Sequence, residues 1–433
     1  MTPSSSRTCD VLVAGSGPAG IAASIAAARG GADTVLVEEA SGPGGNVFRA
    51  NVHTICGLFE PGNDDPVPLH NGFPLAFAAE LHRNGGARDP EQVGDVHVLP
   101  IYPTDFSHLA EQWIRTEKTL SAHYNTRVRD VEHERDGWTV RTTDDASNET
   151  IFQSRLLLDT TGDAVASKKA GAACMQGAPD ELQIPSFIVQ LSGLPDTYLH
   201  GFEKLRLQHS VAEGVKEGVL PEGCESILIR PGKEDGTGYA TLNMPRTCSG
   251  MFDPFQSERV RDFEEEARRR VRHVVQYLRD GTDDLTDLDI RSFPERIGIR
   301  ETRRMEGRTV MTRQQILDGD HSADQVAKSG WPVELWQDHT SPRIEQPDAP
   351  CDVPLDSLIS TSYVDLGAAG RCMSASREAL GALRVIATSM ATGEALGFAA
   401  ARTYASGDLT NADPAWVRHQ KQASFSNKTS DPF

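Results

Sequence analysis

Three glycines near the start of the chain have the spacing of a turn that binds a pyrophosphate. Gly15, Gly17 and Gly20 form a Gly-x-Gly-x-x-Gly run between an apolar segment and an alanine-rich one. The first glycine permits a tight turn, the second lets the backbone approach a phosphate, and the third lets a helix pack on a strand. Amide groups at the start of that helix would then bind the phosphates.

The elements around these glycines have the order that a dinucleotide-binding turn needs. Residues 10–14 predict a buried strand, residues 21–29 a helix and residues 34–38 a second buried strand, which together make a βαβ unit. Glu38 ends the second strand, where a carboxylate can accept hydrogen bonds from ribose hydroxyls. Glu39 is the alternative, although alternation along a strand turns it to the opposite face. The pattern therefore predicts a Rossmann-type site for NAD or FAD.

Four further segments decide between the two dinucleotides. They are Gly44-Gly45-Asn46, the run DTTGDA at 159–164, the run RETRRMEG at 300–307 and the long segment 369–397. Together they resemble the FAD-dependent oxidoreductase family of the glutathione-reductase-like superfamily, which is related to the succinate dehydrogenase and fumarate reductase flavoproteins. The resemblance implies an enzyme with FAD as its cofactor.

The resemblance also implies an α/β fold and a division of the chain. We expect a discontinuous Rossmann-type FAD-binding domain formed by residues 1–178 and 346–433, with an irregular excursion at 42–103 that lies over the cofactor. A mixed α+β substrate domain is expected as an insertion at 179–345, where strand-like segments precede a long charged helix at about 257–279.

Roles are implied where single residues match the family pattern. The glycine turn takes the pyrophosphate, Glu38 takes the ribose, and Asp163 positions the pyrophosphate or the ribityl chain. Gly370 and Arg371 lie where the chain passes the ribityl-flavin, and a helix from about Gly381 directs its N-terminus at the flavin. The predicted cofactor-binding residues are Gly15, Gly17, Pro18, Ala19, Gly20, Glu38, Glu39, Gly45, Asn46, Val128, Thr161, Gly162, Asp163, Gly370, Arg371, Leu383, Arg384 and Val385.

Three residues are candidates for catalysis. His53 and Cys56 follow the Gly44-Gly45 turn at a distance that can reach the flavin ring, where they could act as base and nucleophile. The alternative is a buried, hydrogen-bonded histidine beside an inert thiol. His53 also lies later than the histidine that carries FAD covalently in succinate dehydrogenase relatives, which disfavours such a link. Arg300 either faces the substrate or pairs with neighbouring glutamates at the start of a surface helix.

Composition excludes several classes of protein. Lys+Arg number 43 against 62 Asp+Glu, and the net charge of −19 repels nucleic acid and anionic membranes. No apolar run approaches the roughly 18 residues of a membrane span, and no secretion leader is recognisable, so we expect a cytoplasmic protein. The seven cysteines form no Cys-x-x-Cys pair. This disfavours a metal site and a redox disulfide.

The reaction class follows from what the sequence lacks. No second Gly-x-Gly-x-x-Gly run is present, so no built-in NAD(P)H domain is expected. We predict a dehydrogenase or oxidase that takes a hydride from a small polar CH–NH or CH–OH substrate onto flavin N5. The alternatives are an NAD(P)H-using flavin reductase or monooxygenase, and a flavoprotein whose FAD is structural. The expected partner is a small-molecule substrate, with a homodimer possible, while the electron acceptor stays open.

Overall fold

Strands and helices alternate at the start of the chain and again near its end in the computed structural model, which describes residues 5–425. The strands are β1 (Ser5–Ala14), β2 (Thr34–Val37), β3 (Thr54–Ile55), β4 (Glu91–Val93), β5 (Val96–Pro100), β6 (Leu120–His123), β7 (Thr126–Glu134), β8 (Gly137–Asp144), β9 (Glu149–Asp159), β10 (Cys174–Met175), β11 (Ser186–Ser192), β12 (Leu228–Pro231), β13 (Thr237–Asn243), β14 (Asp289–Ser292), β15 (Arg304–Met305), β16 (Gln325–Ser329), β17 (Val333–Leu335), β18 (Arg343–Glu345), β19 (Cys351–Pro354) and β20 (Leu366–Ala368). The α-helices are α1 (Pro18–Arg29), α2 (Asn46–Arg49), α3 (Phe73–Arg83), α4 (Pro103–Thr116), α5 (Val165–Lys169), α6 (Gly201–Lys216), α7 (Ser257–Gly281), α8 (Arg313–Asp318), α9 (Arg377–Leu383), α10 (Ile386–Thr403) and α11 (Pro414–Phe425).

The central sheet has the strand order β6-β2-β1-β9-β8-β7, and β20 also pairs with β9. Strand β1 runs parallel to β2 and β9, with Val13 opposite Leu36 and Leu158. Strand β20 is also parallel to β9, whereas β7, β8 and β9 are antiparallel. Since β20 enters the sheet long after β9 in sequence, the Rossmann-type fold is discontinuous, as the sequence predicts.

Helix α10 packs so closely on α1 that two of its positions have no room for a side chain. A Cβ atom at Gly393 would lie 2.1 Å from the carbonyl oxygen of Ala19, and one at Gly397 would lie 2.2 Å from that of Ala23.

The single helix predicted from about Gly381 is corrected by the structure, which has two helices there. Helix α9 ends at Leu383 and α10 begins at Ile386.

The inserted region forms a separate antiparallel sheet in the order β12-β13-β11-β14. Its core contains Phe187 and Val189 from β11 together with Phe263 and Val271 from α7. These two helix residues recur at helical spacing, so one face of an otherwise charged helix is buried. The inserted sheet agrees with the predicted mixed α+β domain, while the exact boundaries at 178/179 and 345/346 stay predictions.

Two stretches are more regular than the sequence indicates. The excursion at 42–103 contains α3 and the β4–β5 hairpin. The polar segment after Arg418 continues in α11 as far as Phe425, and Lys421 and Phe425 are buried. Residues 426–433 lie outside the described part of the chain. Between residues 5 and 425, no helix has both the length and the apolar character to cross a membrane.

Candidate active site

A cavity of about 410 Å³ is lined by residues from both sheets. Gly15, Glu38 and Thr160 follow the carboxyl ends of the parallel strands β1, β2 and β9, and Ala369 follows β20. Ligands of open α/β sheets bind at this edge of the sheet. The predicted cofactor residues on the lining are Gly15, Gly17, Pro18, Ala19, Glu38, Glu39, Gly45, Asn46, Val128, Thr161, Gly162, Asp163, Gly370, Arg371, Arg384 and Val385.

Each of the three positions in the turn is occupied by glycine for a different structural reason. Gly15 has φ +97° and a Cβ there would lie 2.7 Å from the carbonyl oxygen of Thr160, so only glycine fits. A Cβ on Gly20 would lie 1.8 Å from the carbonyl oxygen of Gly15, which makes Gly20 a packing residue that does not line the cavity. Gly17 is different, because its Cβ would meet nothing nearer than Gly45 Cα at 4.0 Å. The open space in front of Gly17 agrees with the predicted place of this glycine beside a pyrophosphate.

The carboxylate of Glu38 is buried and supports the glycine turn directly. Its Oε2 accepts hydrogen bonds from Ser16 N at 2.6 Å and Ser16 Oγ at 2.9 Å, and its Oε1 accepts one from Ala40 N at 2.8 Å. A carboxylate has about four lone-pair sites, so Oε1 keeps one that can accept a ribose hydroxyl. Glu38 therefore fits the predicted ribose role and also holds the turn.

Glu39 lies within reach of three arginines. Its oxygens are 2.6 Å from Arg49, 3.4 Å from Arg127 and 3.8 Å from Arg296. Burial raises the pKa of Glu39, but the arginines, Arg49 first, outweigh it and bring the pKa below its ordinary value. Arg49 also binds Glu295 at 2.8 Å. This network ties the loop at 295–296 to the cofactor-binding edge of the central sheet.

Asp163 and Arg371 form an ion pair on the cavity wall. Arg371 Nη2 lies 2.8 Å from Asp163 Oδ1, and the Thr302 hydroxyl lies 3.0 Å from the same oxygen. Burial acts to raise the pKa of Asp163, yet Arg371 and the other neighbours hold it below its ordinary value. The loop after β9 is thus fixed against the segment after β20, which joins the two halves of the discontinuous domain.

The start of α10 faces the cavity, but one predicted residue beside it does not. Val385, Ile386 and Ser389 lie on the lining, so the N-terminal end of the helix borders the cavity. Leu383, which we predicted to contact the cofactor, is fully buried in the hydrophobic core at the end of α9. This is a correction, and its reason is the break between α9 and α10.

The segment around β3 reaches the cavity with alternate residues. Val52, Thr54 and Cys56 line it, whereas His53 does not. The His53 ring stacks on Tyr239 at 4.8 Å and its Nδ1 donates to the Asn51 carbonyl oxygen at 3.1 Å. Burial lowers the pKa of His53 to about 4. Since side chains alternate along an extended segment, His53 points away from the cavity that its neighbours line. The prediction that His53 acts as a base is therefore wrong.

Four residues form what we call the arginine end of the cavity: Arg300, Glu334, Trp336 and Arg384. Arg300 donates to Ile184 O at 2.7 Å and lies over the Trp336 ring at 4.6 Å from its centre. Glu334 accepts hydrogen bonds from the indole N–H groups of Trp331 and Trp336. Arg300 is thus not a surface residue paired with its sequence neighbours, which was one of the two sequence-based alternatives.

Sequence reasoning missed many residues on the lining. Glu334 could have been found from its own surroundings, because two of the five tryptophans flank it within the six residues WPVELW. Nothing in the sequence marks the others. The missed residues include Arg49, Thr126, Arg127, Val165, Ser186, Ile188, Thr241, Arg296, Gly298, Ile299, Glu334, Trp336, Ile386 and Ser389.

Fold and cavity together define a protein with a Rossmann-type dinucleotide-binding domain. The family model for FAD dependent oxidoreductases matches residues 10–417, and the chain belongs to this family. It is therefore an FAD-dependent enzyme. The residues present are compatible with FAD, since Gly17 leaves open space beside the turn and Glu38 lines the same cavity.

Solved structures with similar folds are distant in sequence. A geranylgeranyl bacteriochlorophyll reductase-like protein from Thermoplasma acidophilum is 11% identical with a TM-score of 0.47, over 98% of this chain and 88% of that chain. The p-nitrophenol 4-monooxygenase PnpA from Pseudomonas putida DLL-E4 is 14% identical with a TM-score of 0.46, over 98% and 95%. Among curated proteins, none matches this sequence.

Proposed function

We propose that this FAD-dependent enzyme is a dehydrogenase or oxidase that removes a hydride from a small polar CH–NH or CH–OH substrate. The observation that carries the proposal is the arginine end, which places a carboxylate, two guanidinium groups and an indole ring in the same cavity as the cofactor-binding glycines. Bound FAD supplies the hydride acceptor. The absence of a second dinucleotide fingerprint supports a substrate, rather than a resident NAD(P)H, as the hydride donor.

A CH–OH substrate must lose a proton together with its hydride, and we assign the acceptance of that proton to Glu334. Trp331 Nε1 donates to Glu334 Oε2 at 2.9 Å, and Trp336 Nε1 donates to the other oxygen. The two indoles fix the carboxylate, while each oxygen keeps a lone pair for the substrate. A positioned carboxylate of this kind contributes roughly 10²–10⁴-fold as a general base.

Arg300 and Cys56 keep supporting roles in the proposal. Arg300 is held by Ile184 O and by Asn243 Oδ1, both at 2.7 Å, so it presents a fixed positive charge that can orient a polar substrate. Burial raises the pKa of Cys56 to about 12, which keeps its thiol protonated at neutral pH. A protonated thiol is a poor nucleophile, so Cys56 contributes a contact surface rather than a covalent step.

The test is anaerobic mixing of the FAD-loaded protein with amines, alcohols, amino acids and hydroxy acids, and separately with NADH and NADPH. Bleaching of the visible flavin band by an amine or alcohol supports the proposal. Bleaching by NAD(P)H alone favours a reductase or monooxygenase, and bleaching by neither favours a structural FAD.

Two variants test the assignment of the proton acceptor. Glu334→Gln should slow flavin reduction by roughly 10²–10⁴-fold with FAD still bound. The matched variant His53→Gln, next to the lining but not on it, should keep most of the rate. A large loss in His53→Gln with little change in Glu334→Gln would reverse the assignment.

A further inference from the structure

The two arginines of the arginine end differ in how many of their guanidinium N–H groups make hydrogen bonds. Arg300 gives hydrogen bonds to Ile184 and Asn243 and stacks on Trp336. Arg384 makes only one long side-chain hydrogen bond within residues 5–425, from Nη2 to Gln183 Oε1 at 3.4 Å. Its Nε is buried and has no hydrogen-bond partner there. A guanidinium has five donors in a planar fork, so Arg384 has a face of the fork left to bind a ligand.

A buried donor without a partner is costly, and native proteins satisfy nearly all such groups. The unsatisfied Nε of Arg384 therefore points to a ligand group that the protein itself does not supply. The neighbouring carboxylate of Glu334 does not fill this role, since its oxygens accept the two indole N–H groups and it makes no hydrogen bond to Arg384 in the described part of the chain.

The charges of the arginine end are also unbalanced. Arg300 and Arg384 bring two positive charges, against one negative charge from Glu334. Glu301 is close by, but it is bound by Arg304 at 3.2 Å and by Arg377 at 2.9 Å. Buried charge without compensation is unfavourable. An anionic ligand would restore the balance, and a carboxylate matches the planar fork of an arginine bidentately.

We propose that Arg384, beside the fixed charge of Arg300, binds the carboxylate of the substrate, which makes the substrate a small carboxylic acid with an oxidisable amino or hydroxyl group. The inference rests on the proposed function and names its substrate class. It also assigns Arg384 to the substrate, whereas the sequence assigns it to the cofactor. The competing source of negative charge is the reduced flavin, whose ring would take the same donors.

Equilibrium binding of ligands to the oxidised holoenzyme shows, without turnover, whether Arg384 binds a substrate carboxylate or the flavin. The probes are propanoate and 2-methylpropanoate, which carry no oxidisable amino or hydroxyl group, with propanamide and 2-methylpropanamide as neutral controls of nearly the same shape. Binding is followed by the change in the visible flavin spectrum and independently by the rise in Tm. The wild-type protein should bind the carboxylates and discriminate against both amides.

Arg384→Gln should weaken the two carboxylates by about 10–100-fold, the scale of a lost charge-assisted hydrogen bond, and leave the amides unchanged. Arg384→Lys should recover part of the affinity, because charge returns but the planar fork does not. Arg402→Gln, an exposed arginine over Trp416, is the matched control and should bind like the wild type.

A second variant works in the opposite direction and does not depend on Arg384 variants holding FAD. Glu334→Gln removes the one negative charge of the arginine end and should tighten carboxylate binding by roughly 3–10-fold. Unchanged carboxylate affinity in both Arg384→Gln and Glu334→Gln would overturn the inference. The inference would also be overturned if Arg384→Gln kept its carboxylate affinity but lowered the reduction potential of the flavin. Arg384 would then interact with the flavin rather than with a substrate carboxylate.

Failure of the inference can be told apart from failure of the proposed function. Carboxylate binding that depends on Arg384, with no amine, alcohol, amino acid or hydroxy acid able to reduce the flavin, would refute the proposed function and leave Arg384 as a carboxylate-binding residue. Flavin reduction by neutral amines or alcohols, without carboxylate binding, would refute the inference alone.

Discussion

Gly17→Val should separate cofactor binding from folding. Gly17 is the N-cap of α1 with φ −65° and ψ 177°, an extended conformation that any residue adopts. The nearest atom to an added Cβ would be Gly45 Cα at 4.0 Å, so the side chain meets no protein atom closely. The side chain would instead project into the cavity that Gly17 lines. We therefore expect a folded apo-protein without the space for a pyrophosphate.

The expected size of both effects, on stability and on FAD binding, follows from the place of Gly17 at the N-cap of α1 and on the cavity lining. An apolar residue in place of glycine at an N-cap costs roughly 0.5–1 kcal/mol of folding free energy. A ligand at 100 times its Kd stabilises the native state by about 2.7 kcal/mol. In the wild type, FAD should therefore raise the Tm clearly. In Gly17→Val the same FAD concentration should leave the Tm unchanged, because the bound geometry is blocked.

The assay is a thermal melt of apo-protein with and without FAD, together with a direct FAD titration. Gly281→Val, at the exposed end of α7 where a Cβ meets nothing within 4 Å, is the matched control and should respond to FAD like the wild type. Gly20→Ala should instead fail to fold, because its Cβ would lie 1.8 Å from a carbonyl oxygen. A Gly17→Val protein that binds FAD with wild-type affinity, or that is unfolded without FAD, would refute the reasoning.

Three further predictions concern charged side chains in the interior or on the cavity wall. Glu38→Gln should lower FAD affinity by about 10–100-fold in a titration and lower the apo-protein's free energy of unfolding by about 1–3 kcal/mol in urea, because its oxygens accept three protein hydrogen bonds. Lys421→Met should cost about 3–5 kcal/mol in the same urea assay, since Nζ lies 3.7 Å from the fully buried Glu394, and Glu394→Gln in the double variant should restore part of it. The pKa of Asp163 is lowered in the folded protein, so its pairing with Arg371 stabilises the fold above the unfolded pKa of about 3.9 and is lost as pH falls below it. Asp163→Asn should therefore make the free energy of unfolding fall less steeply as pH is lowered into the acid range. An unchanged pH dependence in the variant would contradict this.

The sequence predicts the cofactor half of the fold because the necessary constraints are local. Gly15 has a φ of +97°, and an added Cβ at Gly20 would lie 1.8 Å from the carbonyl oxygen of Gly15, so both constraints arise within the turn itself. Constraints of this kind leave a fixed spacing in the chain. The break between α9 and α10 leaves no such trace, since Arg384 and Val385 are ordinary residues for a helix. A single helix was therefore the natural, and wrong, prediction.

His53 shows a different limit. Chain geometry correctly allows residues 52–56 to reach the cavity edge, but it does not say which face of the extended segment turns inward. Val52, Thr54 and Cys56 are on the lining, and the ring of His53 packs on Tyr239 from β13. A shift of one residue in register exchanges the two faces of a strand. The residue type alone suggested a base, and the alternation decides against it.

The arginine end is harder to predict because its members come from distant segments. Arg300 owes its position to Ile184 and Asn243, and Glu334 owes its orientation to two indoles, none of which lies next to Arg384 in sequence. The tryptophans on either side mark Glu334 in the sequence, whereas nothing there marks Arg300 and Arg384 as neighbours. Only the fold brings them together, when the inserted sheet closes on the edge of the central sheet. The glycine turn can therefore be recognised from backbone constraints within one short segment, whereas the proposed substrate site rests on tertiary contacts among side chains from separate segments.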